Sequence, residues 1–449
     1  MTTTIGAVPR QSDRRQDELS GDLPVPLISD AAATGAVAVV GLGYVGLPTA
    51  LSLMDAGKSV VGYDISEDRL AAIKTGKVDL PEEDRSFLAA RIGSERFILT
   101  TDAGQLGAVE SVIICVPTPV DPQFVPDLTA LRLACDEVVR RAVAGQTIVL
   151  TSTTYVGCTD DLLVDPLVAR GFDVGTDVFV AFSPERIDPG VADHSPRETP
   201  RVVGGVTAEC ARRATALLQR TAPAVHGVSS PRAAELTKLL ENTFRAVNIA
   251  LANEFSDLTS GFGVDPMEVI SAAATKPYGF MPFYPGPGVG GHCIPCDPHY
   301  LLWQSRRQRR TSPVTEAAMW SIAGRPRTVV QKVRDLLGDN AKAVGGARVL
   351  LVGVAYKPSV ADVRESPALE IIAELQEAGA EVHYFDPLVE SVRTPRGPLM
   401  SHTSPDTAEW DLVIAHTLQP GYDYSWLNSA PAVLDTTYRL HDVKNRKIL

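Results

Sequence analysis

The sequence lacks any apolar run close to the roughly 20 residues of a membrane span, and its N-terminus lacks the apolar core of a signal peptide. It also lacks a basic block. Lys and Arg total 42 against 54 Asp and Glu, so the formal net charge is -12, which argues against nucleic acid as a partner. The arginine-containing run at 306–310 is short and is interpreted as a solvated face. An anionic substrate must therefore be bound by local groups.

Cysteine is also scarce, with six in 449 residues. That number is too small for a disulfide framework in a chain of this size, so we interpret the cysteines as reduced thiols of a cytoplasmic protein. The chain is too long to fold around one hydrophobic core, so its length predicts two or three domains. Residues 1–34 are polar, contain proline and show no periodicity, which predicts a disordered N-terminal arm.

The segment 282–300, PFYPGPGVGGHCIPCDPHY, crowds glycine and proline against two cysteines. These residues impose a tight, non-helical loop that can hold a thiol in the open. Cys293 is therefore the candidate nucleophile, whereas Cys115 lies in an apolar run that is typical of packing. On this segment alone, a turn-rich loop with an incidental thiol remains the alternative.

A glycine fingerprint follows the first predicted strand, 36–40, and precedes a predicted helix from Leu47 onward. It has the form G-x-G-x-x-G and comprises Gly41, Gly43, Tyr44, Val45 and Gly46. This context is typical of dinucleotide binding. The second strand, 59–63, ends in Asp64, whose charge favours NAD over NADP because it repels a 2'-phosphate. We expect Arg69 to lie over the adenosine.

Further apolar strands are predicted at 97–100, 112–116, 147–150 and 178–182, which is the pattern of a doubly wound parallel sheet. Three of these strands are followed by polar turns. Because ligands of such sheets lie at the carboxyl ends of the strands, we expect the turns to line the nicotinamide half of a pocket. The candidate residues are Pro117, Thr118, Ser152, Thr153, Glu185 and Arg186.

Residues 232–260 contain neither glycine nor proline, and their apolar residues recur at helical spacing. The pattern predicts one long helix that joins two domains and pairs subunits in a homodimer. Lys238 and Asn242 are four residues apart and share a face, where a cation and an amide are aimed at one point. The alternative is a solvated lysine and a capping asparagine.

The alternation of strand and helix restarts beyond residue 326, with strands predicted at 348–352, 381–385, 412–416 and 432–435. The fold class is thus α/β, with two doubly wound parallel-sheet (Rossmann-like) domains joined by a long central helix. The first strand of the second sheet has no glycine fingerprint after it. It is followed by Lys357 and Arg364, which are well placed to hold phosphate or sugar oxygens.

The motifs occur in the order GLGYVGLP, VGYD, CVPTP, ST, FSPER, a helix with Lys and Asn four apart, GPGVGGHCIPCDP and AYKPSVADVRESPALE. In this order they resemble the NAD-dependent nucleotide-sugar 6-dehydrogenases of the UDP-glucose dehydrogenase superfamily, from Val37 to the C-terminus. SPERIDPG and YPGPGVGGHCIP are most similar to bacterial enzymes that oxidise UDP-N-acetylhexosamines. The resemblance implies an NAD-binding domain at 35–225, a central helical dimerisation domain with the cysteine loop at 226–325, and a nucleotide-sugar-binding domain at 326–449.

The resemblance implies that C6 of the sugar passes from alcohol to carboxylate in two hydride transfers to NAD. Cys293 would form a thiohemiacetal and then a thioester, which water hydrolyses. Lys238 and Asn242 would stabilise the oxyanion, Asp297 and Thr153 would act on the hydrolytic water, and Glu185 would serve proton transfer or hydrolysis. The implied substrate contacts are Glu185, Arg186, Lys238, Asn242, Tyr284, Gly288, Gly291 and Lys357. Arg364 would contact the cofactor at the domain interface.

Several positions depart from the family pattern. Many relatives carry an acid and a proline where this chain has Thr151 and Val156, and Pro189 replaces a second acid that is usual in enzymes for plain UDP-glucose. Cys296 creates a Cys-x-x-Cys with Cys293, but zinc would need two more ligands, so no metal is predicted. The alternatives are a two-electron hydroxyacid-type dehydrogenase, a silent binding protein, and dTDP-glucose as substrate.

Overall fold

The computed structural model describes residues 35–186, 198–291 and 293–449. The predicted N-terminal arm lies outside the described residues, as do Pro189 and His292. The described chain contains two α/β units, each built on a largely parallel sheet, with a long helix between them. The predicted fold class is therefore confirmed.

The first sheet has eight strands in the order β3-β2-β1-β4-β5-β6-β7-β8. They are β1 Val37–Val40, β2 Val60–Tyr63, β3 Phe97–Thr100, β4 Ser111–Ile114, β5 Thr147–Leu150, β6 Phe179–Phe182, β7 Arg201–Gly205 and β8 Val225–Val228. The reversal of strand order between β1 and β4 opens a crevice at the carboxyl ends of these strands, where such sheets bind ligands.

The last two strands of this sheet were not predicted from the sequence. β7 pairs antiparallel to β6, so the sheet is not wholly parallel, and β8 pairs parallel to β7. β7 ends in two glycines, and β8 has the short sequence VHGV with no fully buried residue. Neither segment shows the apolar run by which the inner strands were identified.

Helices cover both faces of this sheet and enclose its apolar residues in two clusters. They are α1 Gly46–Asp55, α2 Glu67–Lys74, α3 Glu82–Ala89, α4 Thr129–Arg141, α5 Asp165–Ala169 and α6 Ala208–Leu218. A π-helical turn, Asp160–Val164, precedes α5, and a 3₁₀ segment, Ala103–Ala108, precedes β4. Apart from β8, the strands are almost entirely buried, as a sheet covered on both faces requires.

The central helix, α7, spans Pro231–Gly261. Its N-terminus is well defined, because the Ser230 side chain accepts a hydrogen bond from the backbone N–H of Ala233 and proline occupies the first turn. Three further helices follow: α8 Pro266–Ala274, α9 Asp297–Arg307 and α10 Pro313–Asp339. The last of these continues through residue 326, where the sequence analysis placed a domain boundary.

The second sheet has five parallel strands in the order β10-β9-β13-β14-β15. They are β9 Arg348–Val352, β10 Glu381–Phe385, β13 Leu412–Ala415, β14 Val433–Asp435 and β15 Arg446–Ile448. The helix α11, Pro367–Glu377, packs on it, a hairpin forms from β11 Ser391–Thr394 and β12 Gly397–Met400, and a 3₁₀ segment spans Ser425–Ser429. The hairpin and β15 were missed by the sequence analysis. No helix among the described residues is long and apolar enough to cross a bilayer.

Candidate active site

Cys293 lies on the loop that connects α8 to α9, and its side chain is exposed. Its carbonyl oxygen accepts hydrogen bonds from the backbone N–H groups of Cys296 and Asp297, at 3.2 and 2.8 Å. These bonds make the tight turn that precedes α9. The thiol is thus exposed to solvent just before the first turn of α9.

The glycines of this loop are required by close contact with the second α/β unit. A Cβ on Gly288 would lie 2.7 Å from Pro367, and one on Gly290 would lie 2.6 Å from Tyr356. The loop is further tied to that unit because the N–H of Gly291 donates to the carbonyl of Arg364 at 3.0 Å. The cysteine loop is therefore held at the junction of the two α/β units.

The other end of the loop is anchored to the helices. The N–H of Gly286 donates to Asn253 on α7 at 2.9 Å, and its carbonyl accepts from Nε of Arg325 on α10 at 3.0 Å. Arg325 is buried and also pairs with Asp257 at 2.7 Å. Both partners of Gly286 thus fix the loop against the central helix, which also carries Lys238 and Asn242.

Lys238 and Asn242 are buried on one face of α7, and both act on Asp297. Asn242 donates to Oδ2 of Asp297, and the Thr153 side chain makes a further hydrogen bond to the same carboxyl. Burial raises the pKa of Asp297 to about 6, although the charge of Lys238 and the two hydrogen bonds oppose the rise. The Asp297 carboxyl group, which is partly protonated near neutral pH, is thereby brought together with the charge of Lys238 and with two hydrogen-bond donors, Asn242 and Thr153.

Glu185 is joined to this group through its backbone. Its carbonyl accepts a hydrogen bond from Nζ of Lys238 at 2.8 Å, while its carboxylate accepts from Nη1 of Arg201 at 3.2 Å. Arg201 is buried, and the sequence analysis missed it because β7 was not predicted. The guanidinium holds the Glu185 carboxylate in one orientation.

A cavity of about 380 Å³ opens over Cys293, within the usual size range of small-molecule sites. Its lining includes the predicted residues Arg186, Lys238, Asn242, Tyr284, Gly288, Gly291, Cys293 and Lys357, together with Glu241, Arg245, Ile249, Gly286, Val289, Gly290, Ile294 and Tyr356. The cationic side chains are Arg186, Lys238, Arg245 and Lys357. Glu241, an acid, is paired with Arg186. The local charge therefore suits an anionic ligand despite the acidic chain.

The glycine fingerprint at the carboxyl end of β1 fits a dinucleotide. A Cβ on Gly46 would lie 1.8 Å from the carbonyl oxygen of Gly41, so close packing of the turn on the helix requires glycine there. A Cβ on Gly43 would instead project into open space, where the bare backbone leaves room for a pyrophosphate. NAD therefore fits this cradle.

Asp64 lies at the end of β2, beside the fingerprint. Its carboxylate accepts backbone hydrogen bonds from Leu42 at 2.8 Å and Ser66 at 2.9 Å. Arg69 donates from Nε to the Leu42 carbonyl at 2.8 Å, so its guanidinium is held next to the same loop. Both side chains are therefore held beside the glycine fingerprint.

Most of the remaining predicted cofactor contacts lie at the carboxyl ends of β4 and β5, and the others lie beside the glycine fingerprint or in the second α/β unit. The Ser152 hydroxyl donates to the Val116 carbonyl at 2.8 Å, beside Pro117, and the Thr118 carbonyl accepts from the Tyr300 hydroxyl at 3.1 Å. Arg364 reaches from the second α/β unit and stacks over the Tyr44 ring at 4.2 Å. Asp362 fixes this guanidinium by an ion pair at 2.6 Å. Val45 lies beside Tyr44 in the same turn.

We expect the protein to use NAD and to turn over poorly with NADP. The Asp64 carboxylate is held beside the glycine fingerprint by the N–H of Leu42, and from the end of β2 it would hydrogen-bond a 2'-hydroxyl and repel a 2'-phosphate. Asp64→Ala should reduce the ratio of kcat/KM for NAD over NADP by at least about tenfold, since one charge-assisted hydrogen bond is worth roughly 1.5–3 kcal/mol. Steady-state assays with both cofactors measure this ratio. Equal turnover of the unchanged protein with NAD and NADP would contradict the assignment.

No group of three or more His, Cys, Asp or Glu residues that could hold a metal ion occurs within 35–186, 198–291 and 293–449. Zinc binding by Cys293 and Cys296 thus finds no further ligands among these residues.

Three domain profiles of one family match the chain in sequence order. They are the UDP-glucose/GDP-mannose dehydrogenase family NAD binding domain at residues 35–222, central domain at 232–321 and UDP binding domain at 350–445. Together they cover most of the chain.

Characterised relatives share about a third of their residues with the chain. A UDP-N-acetyl-D-glucosamine 6-dehydrogenase of Pseudomonas aeruginosa is 36% identical over 79% of this chain and 83% of its own length. A UDP-N-acetyl-D-mannosamine dehydrogenase of Methanocaldococcus jannaschii is 34% identical over 78% of each. The structure of a UDP-D-ManNAc dehydrogenase from Pyrococcus horikoshii superposes with a TM-score of 0.83 at 29% identity, covering 92% of this chain and 98% of that chain.

Proposed function

Because this chain belongs to the UDP-glucose/GDP-mannose dehydrogenase family, we propose that it oxidises C6 of a UDP-N-acetylhexosamine to a carboxylate, with Cys293 as covalent nucleophile. NAD-dependent, four-electron oxidation of a nucleotide sugar is the family's chemistry. One observation carries the proposal: the exposed Cys293 shares a cation-lined cavity with Lys238, whose charge acts on the buried Asp297, and with Asn242, which donates a hydrogen bond to it. The choice of an N-acetylhexosamine is supported by the activities of the relatives named above.

The cavity supplies the means to bind a nucleotide sugar. Lys357, Arg245 and Arg186 provide charge for a diphosphate, and the apolar side chains of Ile249 and Val289 face the same space. Lys357 follows β9 of the second α/β unit, whereas Arg245 is on the central helix. We assign the diphosphate to these cations and the sugar to the end of the cavity next to Cys293.

In the first oxidation, the C6 hydroxyl gives up its proton to water and the C6 carbon loses a hydride. Lys238 and Asn242 lie together on α7 and stabilise the negative charge that develops on the C6 oxygen. NAD would supply the hydride acceptor, one molecule for each of the two oxidations. The buried position of both donors keeps their dipoles aligned without competition from water.

In the second oxidation, the thiolate of Cys293 attacks the aldehyde carbon and forms a thiohemiacetal. A C–S bond forms, and the aldehyde oxygen becomes an oxyanion in reach of the same donors. Loss of the second hydride then leaves a thioester on Cys293. Covalent capture also explains why the aldehyde need not leave the site between the two oxidations.

Hydrolysis of the thioester requires a base for the attacking water. Asp297 is the first residue of α9 and lies four residues after Cys293, and its raised pKa, about 6, makes it a stronger base than an exposed carboxylate. Thr153 and Asn242 orient the carboxyl group through hydrogen bonds. Asp297 thus accepts the proton of water, and the Cys293 sulfur departs as the leaving group. Glu185, whose carboxylate is engaged by Arg201, supports the position of Lys238.

A nucleotide-sugar panel tests the substrate assignment. With NAD as oxidant, we expect the highest kcat/KM with a UDP-N-acetylhexosamine, and lower values with UDP-glucose and dTDP-glucose. Lys357→Met should raise KM for every nucleotide sugar, because it removes a cation from the proposed diphosphate site. A higher kcat/KM with UDP-glucose or dTDP-glucose would contradict the choice of sugar or base, and one NADH per sugar would favour a two-electron enzyme.

We also propose that the protein is a homodimer, paired along α7. Exposed apolar side chains recur along this helix, between 41% and 68% exposed, with Phe262 just beyond its end: Leu236, Leu240, Phe244, Leu251, Phe255, Leu258 and Phe262. A stripe of this length on a 31-residue helix matches the extent of a subunit interface and is unusual on a free surface.

Light scattering tests the pairing. The unchanged protein should have the mass of a dimer or a multiple of it, and Leu240→Glu should shift it toward monomer because the charge would be buried at the interface. Leu133→Glu is the matched control, since Leu133 is 62% exposed on α4 and lies outside the stripe. A monomer at micromolar concentration for the unchanged protein would contradict the proposal.

The six cysteines are all free thiols, in keeping with a reducing compartment. On that ground we propose the cytoplasm as the site of action.

A further inference from the structure

Cys293 and Cys296 form a Cys-x-x-Cys turn at the start of α9. The N–H of Cys296 donates to the carbonyl of Cys293 at 3.2 Å. A turn closed by this bond keeps its first and fourth Cα atoms within roughly 7 Å. Disulfides need a Cα separation of about 4.4–6.8 Å, so the Cα spacing of this turn is compatible with a bond between the two sulfurs.

The two thiols differ in their access to solvent. Cys293 is exposed, while Cys296 is only 3% exposed and hydrogen-bonds with the backbone of Val120. Burial raises the pKa of Cys296 to about 12, so this sulfur stays protonated and does not compete for the aldehyde. An accessible sulfur followed three residues later by a sheltered one is the arrangement of an attacking and a resolving cysteine.

The proposed oxidation of the sugar uses one sulfur and gives no role to Cys296. The other four cysteines do not offer an equivalent pair, because Cys115, Cys135, Cys158 and Cys210 are all buried. Cys135 and Cys158 are close enough to influence each other, yet neither is accessible to an oxidant. Among the six thiols, the turn before α9 is therefore the place where one sulfur is exposed and a second is within reach.

We propose that Cys293 and Cys296 form a modification site: a hydroperoxide converts them to an intramolecular disulfide that reversibly blocks the catalytic sulfur. The expected loss of turnover rests on the proposed function, whereas formation of the disulfide does not. The disulfide protects Cys293 from irreversible oxidation, since sulfinic acid formation requires a sulfenic acid that persists.

The chemistry balances in two steps. The Cys293 thiolate attacks the terminal oxygen of the hydroperoxide, the O–O bond breaks, and an alcohol (or water, from hydrogen peroxide) leaves while the sulfur becomes a sulfenic acid. Cys296 then attacks this sulfur, an S–S bond forms, the S–O bond breaks, and water leaves with the Cys296 proton. Two thiols are oxidised by two electrons, and one hydroperoxide is reduced.

Mass spectrometry of the full-length protein after treatment with hydrogen peroxide tests the site. In the unchanged protein, the peptide that contains both cysteines should lose about 2 Da and regain them with dithiothreitol. In Cys296→Ser, the same peptide should gain about 32 Da, the mass of a sulfinic acid, and should not respond to dithiothreitol. Cys135→Ser is the control and should behave like the unchanged protein.

Activity supplies the second readout. Before peroxide, Cys296→Ser should turn over within a few-fold of the unchanged protein; after peroxide both should be inactive, and only the unchanged protein should recover with dithiothreitol. If Cys296→Ser does not fold, Cys296→Ala and the peptide mass of the unchanged protein decide the matter. The proposal is overturned if no Cys293–Cys296 disulfide forms, or if both proteins recover equally. The mass readout does not depend on turnover, so failure of the proposed function would be seen separately as no NADH before peroxide is added.

Discussion

Replacing Cys293 with serine is expected to lower steady-state NADH formation by roughly 1000-fold or more, the scale seen when an enzyme loses its nucleophile. A serine hydroxyl remains protonated near neutral pH, and its adduct with the aldehyde is a poor precursor of an acyl group that water can release. The turn would be preserved, because it is closed by the carbonyl oxygen of residue 293 and not by its side chain. The reaction should therefore stall at aldehyde capture or at acyl transfer.

Cys296→Ser is the matched control for this prediction. It makes the same atomic change three residues away, in a thiol that the proposed mechanism does not use, and should leave turnover within a few-fold of the unchanged protein. Thermal unfolding of both variants separates loss of chemistry from loss of fold. If Cys293→Ser turned over within a few-fold of the unchanged protein while still forming two NADH per sugar, covalent catalysis by this residue would have to be abandoned.

Asp297→Asn is expected to form about two NADH per active site in a burst and then to turn over about 100- to 10,000-fold more slowly, the range attributed to general base catalysis. Asparagine retains the size of the side chain but cannot accept a proton from the hydrolytic water. Both oxidations precede that step, so the acyl group should accumulate on Cys293. Stopped-flow measurement of NADH, with a high concentration of enzyme and the sugar in several-fold excess over it, resolves the burst from the slow phase.

The same residue predicts a pH dependence. The pKa of Asp297 is raised to about 6, so the carboxylate is the dominant form above that pH and is lost as the pH falls through it. In the unchanged protein, kcat should therefore fall below about pH 6, and this limb should be absent in Asp297→Asn. Turnover of Asp297→Asn at the rate of the unchanged protein, without a burst, would contradict the assignment of Asp297 as the base.

Glu241→Gln provides a matched exchange of carboxyl for amide within the same cavity. Glu241 lines the proposed substrate site and pairs with Arg186. None of the hydrogen bonds described above joins it to the Asp297 carboxyl. We expect it to change KM and to leave the ratio of burst to steady-state rate as in the unchanged protein. A burst followed by slow turnover in Glu241→Gln would show that the effect is not specific to Asp297.

The parts of the site that are set by local sequence were predictable. The glycine fingerprint at Gly41–Gly46 needs only a strand before it and a helix after it, and Asp64 follows from its place at the end of the next strand. The loop around Cys293 is likewise local, because its glycines and prolines exclude regular structure. These features were identified without knowledge of which residues approach one another in space.

The partners of these residues were not predictable. Arg201 reaches Glu185 because β7 pairs antiparallel with β6, and this pairing leaves no periodic signal in a five-residue strand ending in glycines. The spacing of Lys238 and Asn242 predicts that they share a face of the helix. It does not predict that they act on the buried Asp297, which is 55 residues along the chain from Asn242. Tyr356 lines the cavity only because the second α/β unit packs against the cysteine loop. Contacts between distant segments decide all three cases.

The most direct test counts the NADH formed by the unchanged protein and by Cys293→Ala. Enzyme is in excess over the nucleotide sugar, and a hydrazine is present to trap free aldehyde. The account predicts two NADH per sugar and no trapped aldehyde for the unchanged protein. For Cys293→Ala it predicts one NADH at most, with the aldehyde recovered as its hydrazone, because the second hydride is lost only from the thiohemiacetal. Two NADH per sugar from Cys293→Ala would contradict the account.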